Sequence, residues 1–353
     1  MEIIRFEFEK KYVKDFINFS KRLYSKKENM EDEKEIFLIL TNKHPLNKYF
    51  KIDKFLVYEG NDVVGRFAIT TYPKDKKAYL GFFECTDDSD VAKLIFDTAI
   101  KFAKDNNYES IVGPVNASFW IKYRLKINKF DKLPYTCEPY NKEYYLKLFK
   151  ENGFDIIEHY TSNIYKDIPE EYSNEKYSTR YEEFLSYGYK IESLKKEDFN
   201  KFLEDLYYMI TKLYCDFPIY KDLEKEDFIK TFKNYEKVMD MSMIKIAYYE
   251  DKMVGFFVGV PDYGNKVYQI NLINLFKILN IKKKPKKYIM LYIGVDPKHT
   301  GLGKALTYSI MKELINKNAL AIGALARDGK ITQNYVDDLI EDRYEYVILE
   351  RKI

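Results

Sequence analysis

Apolar and polar residues alternate along Met1–Glu9, the period-two pattern of a strand with one buried face. The spacing turns helical over Tyr12–Tyr24. Phe55–Tyr58 and Val63–Tyr72 are β-rich runs around the polar pair Asn61-Asp62, which predicts a hairpin, and Ala78–Glu84 predicts a third strand. Asp87–Asn106 predicts a long helix. It opens on DDSD, acidic where a helix N-terminus favours acid, and carries Val91, Leu94, Ile95, Ile100 and Phe102 at helical spacing. A strand at Ser110–Val115, a helix at Lys142–Asn152 stopped by Gly153, and a strand region at Phe154–Tyr165 complete the first half.

The second half repeats this order. Tyr189–Leu194 reads as a strand, Phe199–Tyr214 and Lys225–Val238 as helices, and Met243–Tyr249 with Met253–Val260 as a hairpin. Strand Tyr288–Val295, helix Gly303–Lys317, strand Ala319–Leu325, helix Ile331–Glu341 and strand Tyr344–Glu350 follow. The hairpins share a signature: NDVVGRFAI in the first half, EDKMVGFFV in the second. Repetition at a period near half the chain predicts an internal duplication. The polar stretch Asp167–Tyr187 predicts the boundary, giving domains at 1–170 and 188–353 with a linker at 171–187.

The chain has 353 residues, enough for two domains, and 46% are hydrophobic, enough for real cores. Fifty-nine basic residues against 56 acidic ones give a net charge of +3, without the basic excess of a nucleic-acid binder. The best local basic run, Lys282–Lys287, reads as a solvated loop before a strand. Cys85, Cys137 and Cys215 are sparse and unpatterned, as are His44, His159 and His299, which predicts a reducing compartment and no metal site. No signal-peptide pattern opens the chain and no uncharged run approaches the ~18–20 residues of a span. The expectation is a cytoplasmic protein with no membrane or nucleic-acid partner, its oligomeric state left open.

One stretch carries specific chemistry: Val295–Leu306, VDPKHTGLGKAL. An apolar strand ends at Asp296-Pro297, where proline cannot donate to a sheet. Gly301 and Gly303 permit a tight turn and the close approach of a ligand. A helix begins at once, so free amide groups and the positive end of its dipole converge on one spot, an anion site built of backbone.

Here the sequence resembles the GNAT acetyltransferase superfamily, in which Gln or Arg, two residues, Gly, one residue, then Gly or Ala marks the cofactor turn. The match runs Thr300-Gly301-Leu302-Gly303-Lys304-Ala305, with Thr300 where Gln or Arg is usual. The resemblance implies an α/β (α+β) fold of two tandem domains, each a mixed, mostly antiparallel twisted sheet flanked by helices. It implies acetyl-CoA or another acyl-CoA as cofactor and an amine acceptor. Thr300, Gly301, Leu302, Gly303, Lys304 and Ala305 would hold the diphosphate. Ile293, Gly294 and Val295 would line the pantetheine arm, and Thr332 and Asn334 would touch it. The family's usual tyrosine acid falls at Leu339, which cannot act as one. Tyr335, one predicted helical turn earlier, is then the catalytic candidate. In the first half the corresponding stretch is FFECTDDSDVAKLIF, and Asp87, Asp88 and Asp90 would repel a diphosphate. That half is expected to have no cofactor site.

Other candidates have ordinary readings beside functional ones. Asp262 reads as a turn aspartate. Tyr214-Cys215-Asp216 reads as a helix end before Pro218; Asn116 and Trp120 stand out in GPVNASFW, and Trp120, the one tryptophan, reads as a packing residue. Three functions follow: an N-acyltransferase catalytic in its second half, a non-catalytic acyl-CoA-binding or scaffold protein, or a ligase taking an aminoacyl-tRNA donor. The near-neutral charge speaks against the third.

Overall fold

The computed structural model describes all residues, Met1–Ile353. In chain order the first part holds β1 (Glu2–Phe6), α1 (Lys10–Leu23), α2 (Glu33–Leu40), β2 (Lys51–Glu59), β3 (Asp62–Thr71), β4 (Lys77–Cys85), α3 (Ser89–Asp105), β5 (Ser110–Gly113), β6 (Val115–Asn116), β7 (Lys122–Tyr123), β8 (Leu125–Lys126), α4 (Tyr145–Glu151) and β9 (Asp155–Tyr165). The second part holds α5 (Glu175–Ser186), β10 (Lys190–Ser193), α6 (Phe199–Tyr214), α7 (Lys225–Phe232), β11 (Ile244–Tyr249), β12 (Lys252–Pro261), α8 (Leu272–Lys283), β13 (Lys287–Val295), α9 (Leu302–Lys317), β14 (Leu320–Arg327) and β15 (Ile340–Lys352).

Two compact units result. The first is Met1–Tyr160 together with Glu345–Ile353, and the second is Thr161–Tyr344. This differs from the expected division at 170 and 188. The last strand leaves the second unit and pairs antiparallel with β5 of the first, Leu349 opposite Gly113 and Arg351 opposite Ile111. The expected linker at 171–187 is also different: it carries α5. Tyr177 and Phe184 are buried there, and Tyr181 is half-buried. A polar composition concealed an aromatic stripe at helical spacing.

The first unit's sheet runs β1-β2-β3-β4-β5-β15. Helix α3 covers one face with Val91, Ile95, Phe96, Ala99 and Ala103, and Phe83, Phe149 and Phe154 pack around Phe96. The second unit's sheet runs β14-β13-β12-β11-β10. Helix α9 covers it with Leu302, Ala305, Leu306, Ile310 and Leu314. Its hairpin turn places Glu250 and Asp251 both at positive φ, 49° and 57°, the twist that matches two paired strands.

The units repeat each other in register as well as order. Gly65 lies opposite Cys85 in one, and Gly255 opposite Val295 in the other. The amide of Thr86 donates to the Val64 carbonyl at 3.0 Å, and that of Asp296 to the Val254 carbonyl at 2.9 Å. The strand before each long helix pairs with a parallel neighbour over its start only: Lys77–Tyr79 with Ser110–Val112, and Lys287–Met290 with Leu320–Gly323. Beyond those points the strands have parted.

Two elements depart from the sequence reading. The helix expected at Ile331–Glu341 is two short 3-10 turns, Ile331–Asn334 and Asp337–Leu339, with Val336 between them at φ 52°. Tertiary hydrogen bonds hold it so. The Tyr165 hydroxyl donates to the Tyr335 carbonyl, the Asn163 amide to the Gln333 carbonyl, and the Val336 amide to the Tyr177 hydroxyl. The run Lys282–Lys287 is not a simple loop: Lys282 and Lys283 end α8 and Lys287 opens β13.

Candidate functional site

Side chains and backbone alternate along a strand, so every second residue of β13 turns its N–H and C=O toward β12. Asp296 does so, and with it Gly294 and Tyr292. Ile293 and Val295 therefore present their backbone groups to the opposite edge, past the last β13–β14 pair at Met290 and Gly323. This open edge leads directly to the glycine turn. Gly294, whose side is covered by Phe256 and Leu213, faces the packing between strand and α6 rather than the slot.

At the end of the slot, Gly301 caps α9 at φ 97° and makes no side-chain cap. The first turn of α9 thus keeps its amides free of side-chain acceptors. Thr300 turns its hydroxyl back onto the Pro297 carbonyl at 3.2 Å. A Cβ on Gly303 would come within 2.4 Å of the Tyr335 hydroxyl, so only glycine admits that ring. Leu302 and Ala305 are buried beneath the turn.

Positive charge gathers here from an unexpected source. A Cβ on Gly301 would lie 3.8 Å from Arg180 Nε, and α5 also brings Lys176 near Lys304. Burial lowers the Lys304 amine, and the like charges of Lys176 and Arg180 lower it further. An anion between them would relieve that repulsion. Arg180 has one acidic partner, Glu183, at 2.7 Å. Sequence reasoning missed Lys176 and Arg180 because they lie in the supposed linker. The helical spacing of Tyr177, Tyr181 and Phe184 was the available signal.

Tyr335 packs edge-on to Tyr177, and its hydroxyl rests on Gly303. Burial pushes its pKa up to about 12, so it stays protonated and a donor at neutral pH. Leu339 is buried against Tyr177, Met311 and Val336. Asn334 accepts from the Arg343 guanidinium at 3.2 Å, and Thr332 accepts the Tyr335 amide through its carbonyl. His299 points elsewhere: its Nδ1 meets the Tyr189 hydroxyl at 2.6 Å, and its ring packs by Tyr249. Asp262 has the local role its turn suggests, paired with Lys287 at 2.7 Å and accepting from the Gly264 amide. Phe217 stacks on Tyr214 and lies 5.3 Å from the Arg327 guanidinium, so the segment after α6 sits beside the end of β14.

The equivalent place in the first unit is filled. The Cys85 amide, counterpart of Val295, donates to the Tyr145 hydroxyl at 3.0 Å, and Tyr144 donates to the Cys85 carbonyl at 2.7 Å. Asn116 accepts the Phe82 amide at 2.7 Å. A Cβ on Gly81 would come within 1.9 Å of the Val115 carbonyl oxygen, so β6 occupies the gap between the parted strands. The Asp88 carboxylate accepts the amides of Asp90 and Val91, taking the N-terminus of α3 for itself. Asn116 thus has a packing role, and Trp120 rests against Phe119.

Solved structures share this architecture. A tandem GNAT protein from the clavulanic acid biosynthesis pathway superposes with a TM-score of 0.55 at 9% identity, over 99% of this chain and 98% of that one. The chain has a tandem GNAT fold. The GCN5-related glucosamine N-acetyltransferase region of a fungal multi-domain GH3 beta-N-acetylglucosaminidase gives 0.54 at 12% identity, over 99% of this chain and 38% of that one. No protein-family description matches the sequence, and no curated protein does. The GNAT arrangement expected from VDPKHTGLGKAL therefore holds at the level of fold, with mixed, mostly antiparallel strands flanked by helices in each unit. No helix is long and apolar enough to cross a membrane.

Proposed function

We propose that the second unit binds an acyl-CoA along the open edge of β13, with its diphosphate at the first turn of α9, and that the chain transfers the acyl group to an amine. The observation that carries this reading is the contrast between the units. The amide that the first unit satisfies with Tyr145, at Cys85, faces an open edge at its counterpart Val295, and the helix N-terminus that Asp88 caps there is an uncapped turn at Gly301–Gly303.

The pantetheine arm would pair with Ile293 and Val295 as an added strand. One of those N–H groups would polarise the thioester carbonyl. The amine nitrogen then bonds to that carbon, the C–S bond breaks, the amine loses a proton and the thiolate gains one. A lysine-like amine is neutral in roughly one molecule per few thousand at pH 7, so its proton must be removed first. Arg180 supplies the long donor that Thr300 lacks, and Lys176 and Lys304 add charge for the phosphates.

Titration calorimetry with acetyl-CoA tests the donor. Arg180→Ala is expected to weaken binding about fivefold, a modest loss because the guanidinium is half exposed. Thr300→Arg in that background should restore most of it. Unchanged affinity in Arg180→Ala would remove this residue from the site.

The Tyr335 hydroxyl lies at the diphosphate end, which supports a donor role toward the cofactor over proton delivery to the thiolate. Tyr335→Phe should raise the acetyl-CoA KM about tenfold with kcat nearly kept. A fall in kcat at constant KM would make it the acid. The alternative reading, a non-catalytic acyl-CoA binder, draws on this same placement and on Leu339. Saturable binding without thiol release across a panel of primary amines would favour it.

A further inference from the structure

The insertion between β12 and β13 carries an apolar helix with almost nothing of its own to cover it. Along α8, Leu272, Leu275, Phe276 and Leu279 recur at helical spacing on one face, and Ile273 adjoins them. Leu272 is 77% exposed, Phe276 69% and Ile273 68%, while Ile278 is the helix's one buried residue. A contiguous apolar face of this kind marks an interaction surface on a folded protein. A 12-residue helix is also marginal unless one face is packed.

The charges around it are of one sign. From Tyr263 to Val295 there is no aspartate or glutamate, while Lys277, Lys282, Lys283, Lys284, Lys286 and Lys287 crowd the helix and the turn behind it. Lys282 is tied to the Lys237 carbonyl and Lys287 to Asp262, whereas Lys277, Lys283, Lys284 and Lys286 are exposed.

We propose that α8 and these lysines dock the protein on an anionic lipid surface. A helix this short reaches about 18 Å, too little to span a bilayer, but it is long enough to lie in the headgroup boundary. An apolar face and a polybasic run are the two signals that together hold a protein on a membrane, where either alone is weak. Parallel pairing of α8 with a second copy would instead bring the two lysine sets together without an intervening acid. The expectation of no membrane partner rested on the lack of a spanning segment, which an interfacial helix does not need. The proposal is independent of the acyl-CoA reading.

The test is co-sedimentation of the full chain with vesicles of phosphatidylcholine alone and of phosphatidylcholine mixed with phosphatidylglycerol. Binding is expected only to the mixed vesicles, and should weaken with added salt. Lys283→Gln with Lys284→Gln should weaken it about 25-fold. Phe276→Glu with Leu279→Glu should weaken it at least about 30-fold. Both residues are exposed, so an unchanged melting curve and circular dichroism spectrum confirm the fold of the variants. Failure to bind the mixed vesicles, or equal binding by the Glu variant, overturns the proposal. So does a wild-type dimer in sedimentation velocity that this variant turns into monomers without any vesicle binding, which would assign the face to a second copy.

Discussion

Lys126→Ala is expected to destabilise the first unit by about 3–5 kcal/mol. Lys126 Nζ lies 2.8 Å from Glu138 Oε1, and both side chains are wholly buried. Burial alone favours their neutral forms, lowering the lysine's pKa and raising the carboxyl's, and each charge opposes that shift in the other. Removing one leaves the other charged in a low-dielectric interior. The hydroxyl of Tyr346 donates to the same carboxylate oxygen at 2.7 Å, and Tyr135 meets Tyr346 at 3.0 Å. Tyr346 lies on β15, so this network ties the last residues of the chain into the first unit. Urea denaturation measures the effect. Lys126→Met combined with Glu138→Leu should recover most of the loss, because a well-packed apolar pair replaces the ions without an orphaned charge. A change under about 0.5 kcal/mol in Lys126→Ala would contradict the buried pair. A piece ending at 170 should fail to fold alone, because it lacks Glu345–Ile353.

Gly303→Trp is expected to weaken acetyl-CoA binding by at least about 100-fold, roughly 3 kcal/mol. Any Cβ at that position meets the Tyr335 hydroxyl, and an indole would also fill the space where amides of the α9 first turn converge. The backbone of Gly303 is ordinary helix, so the change acts by bulk and not by φ. Displacement of Tyr335 into solvent leaves the core beneath, built on Leu302, Ala305 and Leu306, in place. Melting temperature should fall only slightly. A variant that unfolds would transfer the test to Gly303→Ser, for which about tenfold weaker binding is expected.

Much of this was legible in the sequence because periodicity and turn chemistry are local. The two hairpins, the long helices α3 and α9 and the glycine turn follow from spacing, and the aspartates at 87–90 announced a helix N-terminus, which Asp88 caps. What escaped depends on distant partners. Nothing local in Ile331–Glu341 says that Tyr165, Asn163 and Tyr177 will hold it in 3-10 turns. The C-terminal strand looks like any other strand, and its transfer to the first unit is decided by pairing with β5. Helix α8 stands between β12 and β13 and has no counterpart between β3 and β4, so the repeat gave no place for it. Arg180 could be found only once α5 was seen against α9. It lies beside Gly301, and in the proposed site it takes the place of the long donor that Thr300 does not supply.

The proposed acyl-CoA site is single and lies in the second unit. Titration of the wild-type chain with acetyl-CoA, followed by calorimetry, decides whether it does. The expected result is saturable binding with one site per chain, competed by CoA and lost in Gly303→Trp. Absence of binding, two sites per chain, or wild-type affinity in Gly303→Trp would contradict it.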